Sequence, residues 1–310
     1  MKRYRVSGTV IASVFDVPEL EAVPEQAADW SVAWGEGPAA EPERWLQHFG
    51  PPDGPVWLSS GRTADRYLLR FPGLAEFQVR PSDGVIDCRS TNGTPVETVR
   101  HLLLDQVIPR LLRLGGLLAL HAGAVRVSGG AAGFLGTAGQ GKSTLVASFT
   151  HAGFALMSDD CLALVSNGEA GEALGSYPGI RLWPDVIPSL CGASPRLSAV
   201  AHYSDKRRLG PSADLAFCAG PVPLRRLYVL DVAEGGEAAV DRMDAREATL
   251  ELVASTYRLG DESAGDLERE FSILTRLVSR RLVRRLRVPQ DLGRLAEARA
   301  AVLADLSDDA

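Results

Sequence analysis

The stretch Gly133-Phe134-Leu135-Gly136-Thr137-Ala138-Gly139-Gln140-Gly141-Lys142-Ser143-Thr144 decides how this chain is read. Gly136 to Ser143 fits the phosphate-loop pattern GxxxxGK[ST], and it follows an apolar strand candidate and opens a helical pattern. Glycines let the backbone curl so that successive N–H groups and the helix N-terminus face phosphates, the lysine reaches the β- and γ-phosphates, and the hydroxyl ligates magnesium. At this chain's own residue frequencies the pattern should occur by chance roughly 0.003 times, so it is a specific signal. The chain has three lysines among its 33 basic residues, Lys2, Lys142 and Lys206. Lys142 stands where a compact ammonium, not a guanidinium, is the usual phosphate partner. Gly136, Thr137, Ala138, Gly139, Gln140, Gly141, Lys142, Ser143 and Thr144 are therefore the expected nucleotide-binding residues.

Downstream, strand candidate Phe154–Met157 runs into Ser158-Asp159-Asp160. Carboxylates at the C-terminal end of a strand stand where ligands of open α/β sheets gather. One carboxylate suffices for Mg²⁺ in a nucleotide switch; two suit phosphoryl transfer to an alcohol, one holding metal and the other taking the hydroxyl proton. Adjacent strand residues face opposite ways, so the strand must break at the pair if both are to act.

Outward from this centre the pattern falls into two parts. Residues 1–98 read as β-rich: Arg5–Phe15, Val56–Ser59, Tyr67–Phe71, Glu76–Val79 and Val85–Cys88 are separated by Pro, Gly and Asp, with Ala22–Gly50 expected to be loop with a little helix. Trp30, Trp34, Trp45 and Trp57 fit either a core or a peptide-stacking surface. Residues 99–310 read as an α/β unit. A helix over Thr98–Leu114, kinked at Pro109 and ended by Gly115-Gly116, leads to strands Leu117–His121, Ala124–Val127 and Gly133–Gly136, the loop, a helix Lys142–His151, and then Phe154–Met157. Further on come a strand at Leu227–Asp231 and helices around Ala245–Leu259, Arg269–Arg281 and Asp291–Asp305. The arginines 276, 280, 281, 284, 285 and 287 are expected on or after the helix 269–281, as a solvated face or a dock for an acidic peptide.

Composition sets the outer limits. With 310 residues, 45% hydrophobic, the chain can bury a large core. A net charge of −6 argues against general binding to nucleic acid or anionic membranes. No apolar run reaches the roughly 18–20 residues of a membrane span, and no cleavable leader is evident. Cys88, Cys161, Cys191 and Cys218 are too few and too scattered for a disulfide scaffold or a CxxC zinc site, which fits a reducing cytoplasm.

The blocks His121-Ala122-Gly123-Ala124-Val125, Gly133–Thr144 and Met157-Ser158-Asp159-Asp160 together resemble the core of the HPr serine kinase/phosphorylase family, a P-loop fold related to phosphoenolpyruvate carboxykinase. The resemblance implies ATP and Mg²⁺ as cofactors and brings His121 into the site. Two features depart from the bacterial HPr kinases: Thr144 stands where they carry an acid, and their glycine-rich phosphorolysis segment is missing. The stretches 101–110, 177–185 and 205–208 instead resemble HPr-kinase-related proteins of ribosomal-peptide clusters, notably lasso-peptide tailoring kinases. That resemblance implies phosphorylation of a serine in a precursor peptide.

Expected catalytic residues are thus Asp159, Asp160, His121, Lys142, Lys206 and Arg181, with Arg207 beside them; the cations would meet charge on the transferred phosphoryl or a substrate anion. Ser143 and Asp160 are the expected metal ligands and Asp159 the base, although sequence alone does not order the two aspartates. A nucleotide-dependent regulatory module with weak hydrolysis, and a kinase of free serine or a sugar, are the rival readings. A homo-oligomer is compatible with all of them.

Overall fold

The computed structural model describes residues 1–36, 41–51, 53–91, 93–166, 171–190, 197–210, 215–233 and 236–307. Cys191 lies outside them. The first nine strands are β1 (Lys2–Val6), β2 (Thr9–Ser13), β3 (Glu21–Ala22), β4 (Trp30–Trp34), β5 (Arg44–Phe49), β6 (Leu58–Arg62), β7 (Tyr67–Phe71), β8 (Ala75–Arg80) and β9 (Val85–Ser90). They form one sheet in the order β3-β1-β2-β4-β9-β8-β7-β6-β5. The expected single strand Arg5–Phe15 is a hairpin folded at Ser7-Gly8, both at positive φ.

The expectation of loop with a little helix over Ala22–Gly50 is corrected: β4 and β5 lie within it. The Ala, Glu and Pro content hid an alternating Trp30-Ser31-Val32-Ala33-Trp34. That stretch pairs in parallel with both β2 and β9, and Val32 is fully buried, so sheet pairing decides its form.

The next segment runs as α1 (Val96–Leu102), a π-helical turn Leu103–Val107 and α2 (Ile108–Leu114). Pro109 has no N–H to give and its ring crowds the carbonyl one turn back; the widened turn in front of it relieves that clash without breaking the helix. Val99, Leu103, Val107 and Leu111 bury this helix against Phe77, Val79 and Ile86 of the first sheet. The same core continues to Ala119, Cys161 and Tyr257.

The second half contains β10 (Leu118–Val127), β11 (Gly130–Leu135), α3 (Lys142–His151), β12 (Ala155–Ser158), β13 (Cys161–Val165), β14 (Glu172–Leu174), β15 (Ile180–Leu182), α4 (Ile187–Leu190), β16 (Leu197–Ala199), β17 (Arg207–Leu209), β18 (Val222–Val232), β19 (Ala239–Arg242), α5 (Ala245–Ala254), α6 (Ala264–Ser279), β20 (Val283–Val288) and α7 (Leu295–Ser307). The two strands expected over 117–127 are one, β10, which changes partners midway. Leu118–His121 pairs with β13, whereas Ala122–Val127 pairs with β11 and, on its other side, β12. β11 also pairs in parallel with β18.

Helices cover both faces of this sheet. α3 and α7 share a core with Phe134, Phe149 and Tyr228 on one side, and α5 and α6 pack with Leu120, Leu135 and Leu227 on the other. The arginine run is corrected in part: Arg284, Arg285 and Arg287 lie on β20, paired with Asp305, with Asp231 and Glu247, and with Asp241. Three arginines among the six residues of β20 left no apolar alternation to read.

Candidate active site

β11 delivers the chain to the phosphate loop and α3 carries it away. Gly136, Gly139 and Gly141 hold φ of +150°, +88° and +87°, and Gly141 caps α3 in the left-handed region where a side chain is strained. The Lys142 ammonium donates to the carbonyls of Gly136 (2.6 Å) and Thr137 (3.2 Å), and the Thr137 N–H donates to Gln140 Oε1 (2.5 Å). Ser143 and Thr144 stand half-buried in the first turn of α3. Burial pushes the Lys142 pKa below its ordinary value against the upward pull of Asp160 and Asp159.

The acid pair occupies the bend between β12 and β13, so both side chains leave the alternation of the strands. Both face Arg181 on β15. The Asp159 Oδ2 accepts from the Arg181 backbone N–H (3.0 Å) and Nε (3.1 Å), and Arg181 Nη2 lies 2.7 Å from Asp160 Oδ1. Arg181 Nη1 donates to Asp105 Oδ2 (2.7 Å). One largely buried guanidinium therefore ties together three carboxylates, a different nitrogen to each, which arginine's planar fork of donors allows and lysine's point charge does not. Burial disfavours its charge, but Asp105, Asp160 and Asp159 together raise its pKa well above normal.

Asp105 comes from the π-helical turn and is 1% exposed. It also accepts from Tyr177 Oη (2.5 Å) and meets His101 Nδ1 (2.5 Å), with Arg208 Nη2 at 4.0 Å. Burial pushes its carboxyl up, yet Arg181, His101 and Arg208 outweigh that and hold it far below the usual carboxylate range. Arg208 in turn pairs with Glu19 (2.8 Å), which links the network to the first sheet.

His121 stands where β10 changes partners. Its Nδ1 is 3.1 Å from Tyr257 Oη and 3.3 Å from Asp160 Oδ1, and Tyr257 Oη donates to Asp160 Oδ2 (3.2 Å). Asp160 is the largest influence on His121 and raises its pKa, but burial, Lys142 and Arg181 together bring it below the ordinary value. For Asp160, burial acts upward and is outweighed by Arg181, His121 and Lys142.

Asp159 Oδ1 is one of several unmatched atoms here. It is buried, and among the described residues no hydrogen-bond partner meets it. A buried carboxylate oxygen left unmet is costly, and the Asp159 charge is felt at Lys142, at the end of the glycine-rich loop. Among the described residues no cluster of three or more His, Cys, Asp or Glu side chains could cage a metal. The donors present, one hydroxyl and one or two carboxylates, match magnesium, which keeps waters and phosphate oxygens in its shell.

The Lys206 ammonium lies 5.2 Å from the ring centre of Trp183, which is 49% exposed, and its charge contributes to lowering the Lys142 pKa. Arg207 and Arg208 alternate across β17, so Arg207 faces solvent and Arg208, which carried no expected role, turns inward. Asp105, Tyr177 and Arg208 lie within the stretches 101–110, 177–185 and 205–208, which carried a resemblance but no roles. Tyr257 carried no signal; its place depends on a segment 97 residues beyond Asp160.

No protein-family model and no curated protein matches the chain. Among solved structures it is similar to the HPr(Ser) kinase/phosphatase from Coxiella burnetii, at 12% identity, over 62% of this chain and 99% of that chain, with a TM-score of 0.29.

Proposed function

We propose that the protein is an ATP- and magnesium-dependent kinase that phosphorylates a serine hydroxyl of a peptide or protein, with a ribosomal precursor peptide as its natural acceptor. The observation that carries the reading is the unmet, buried Oδ1 of Asp159, whose charge is felt at Lys142 at the end of the glycine-rich loop. Magnesium, held by this chain's hydroxyl and carboxylate donors, would supply positive charge against the charge that develops as the γ-phosphoryl leaves. Ser143 and Asp160 are the residues to hold it.

The remaining work falls to this chain's own groups. The loop N–H groups and Lys142 leave their internal partners and take the phosphates. Asp159 accepts the proton of the serine hydroxyl as its oxygen bonds to phosphorus and the bond to ADP breaks. Arg181 keeps the two carboxylates in place. The His121–Asp160–Tyr257 cluster fixes the orientation of Asp160 from the far side.

The peptide acceptor rests on the resemblance of the stretches 101–110, 177–185 and 205–208. Asp105, Tyr177, Arg181 and Arg208, far apart in the chain, come from those stretches and meet in one network. The test is mass spectrometry of candidate precursor peptides after incubation with protein, ATP and Mg²⁺, with free serine and HPr as alternative acceptors. A phosphate ester on a peptide serine, lost when that serine is changed to alanine, supports the reading. Phosphorylated free serine, or only slow release of phosphate, overturns the peptide acceptor.

A further inference from the structure

A second cavity lies behind the acidic network, at the seam between the first sheet and the second half of the chain. It measures about 260 Å³. On one side are Arg5, Ser7 and Glu21; on the other are the apolar walls Leu174, Phe217 and Pro221. Its size approaches the lower end of the roughly 300–1,000 Å³ of small-molecule sites, and it shares their make-up of apolar walls with a few polar groups.

Two features of the lining stand without explanation inside the fold. Ser7 is 2% exposed, sits at φ +48° in the hairpin turn, and its hydroxyl has no hydrogen-bond partner among the described residues. Glycine or asparagine is the usual solution at such a turn position; serine brings strain and an unmet buried hydroxyl. Arg5 and Glu21 are directly opposed across β1 and β3. Opposite charges so placed ordinarily pair, yet among the described residues neither side chain forms an ion pair or hydrogen bond. Two complementary charges, side by side and both free, stand at an apolar cavity whose wall carries an unmet hydroxyl.

We infer that this cavity binds a free apolar α-amino acid. The Arg5 guanidinium takes the carboxylate, Glu21 takes the ammonium, Ser7 Oγ completes the polar contacts, and the side chain lies against Leu174, Phe217 and Pro221. The cavity is also lined by Ser176 and Tyr177. Their hydroxyls reach Ser158 (3.3 Å), next to Asp159, and Asp105 (2.5 Å). An occupant therefore touches residues that hold the acidic network, which marks an effector site separate from the phosphate loop.

The experiment is thermal unfolding and isothermal calorimetry on the full chain without nucleotide, so its result is independent of the kinase reading. The probes are leucine, phenylalanine and methionine, with glycine (no apolar body), isovalerate (no ammonium) and isopentylamine (no carboxylate) as controls. At least one apolar amino acid should raise the melting temperature and bind, and the three controls should not. Arg5→Ala and Glu21→Ala, at exposed positions that leave the core intact, should each weaken binding about tenfold or more. Ser7→Gly should fold at least as firmly and bind more weakly. Absence of binding by all three amino acids at millimolar concentration, or affinity unchanged in both charge variants, overturns the inference.

Discussion

Replacing Asp105 by asparagine isolates the charge at the centre of the buried network. In the wild type this carboxylate meets Arg181 at 2.7 Å, and Tyr177 and His101 at 2.5 Å each, while 1% exposed. Breaking a buried ion pair from one side costs about 3–5 kcal/mol. Arg181 retains Asp159 and Asp160, so the low end applies, about 3 kcal/mol. At the lower figure for large domains, about 2 °C per kcal/mol, the melting temperature should fall by about 6 °C.

The pH dependence carries the sharper test. The folded-state pKa of Asp105 is depressed, so its stabilisation is present above the unfolded value near 3.9 and is lost as pH falls through that value toward the folded one. Thermal unfolding of wild type and Asp105→Asn should therefore differ by a constant amount between about pH 5 and 8, and the curves should converge below about pH 4. A difference under about 1 kcal/mol at pH 7, or one that widens as pH drops from 5 to 3.5, would refute this account of the network.

Lys142→Ala removes an ammonium that donates to two loop carbonyls; folding should be spared while the dissociation constant for ATP, measured by calorimetry, rises about tenfold to a hundredfold. His121 has a lowered folded pKa, so the stability it contributes is present above its unfolded value near 6.5 and declines as pH falls below it; wild type should lose stability below about pH 6.5, and His121→Gln should lose less over the same interval in urea titrations. At Gly123 a Cβ would stand 2.6 Å from Val146 Cγ2 and 3.4 Å from the Asp159 carbonyl; Gly123→Ala should press α3 away from β10 and cost about 1–3 kcal/mol in thermal unfolding.

What the sequence made legible was local. The helix Lys142–His151 and the strand Tyr67–Phe71 were readable to the residue, because a glycine-rich loop opens the one and Pro72-Gly73 closes the apolar run of the other. That residues 136–141 form a loop between strand and helix, and that Asp159 and Asp160 sit at a break between strands, was readable because each signal lies in contiguous residues. Asp105 was not, since a lone acid inside a leucine-rich helix gives no sign that three basic groups converge on it. Tyr257 follows α5 and reaches His121 only through the packing of that helix on the sheet. β4 was hidden by composition, and β20 by its arginines, each neutralised by a partner distant in sequence.

The most direct measurement compares wild type with Asp159→Asn in a γ-labelled ATP transfer assay with Mg²⁺ and a serine-containing precursor peptide, at nucleotide concentrations shown by calorimetry to saturate both proteins. If the loop binds nucleotide and Asp159 takes the acceptor proton, the two proteins bind ATP alike, and only the wild type places label on the peptide. Transfer at wild-type rate by Asp159→Asn, or no labelled acceptor from a nucleotide-saturated wild type, would contradict the proposed site.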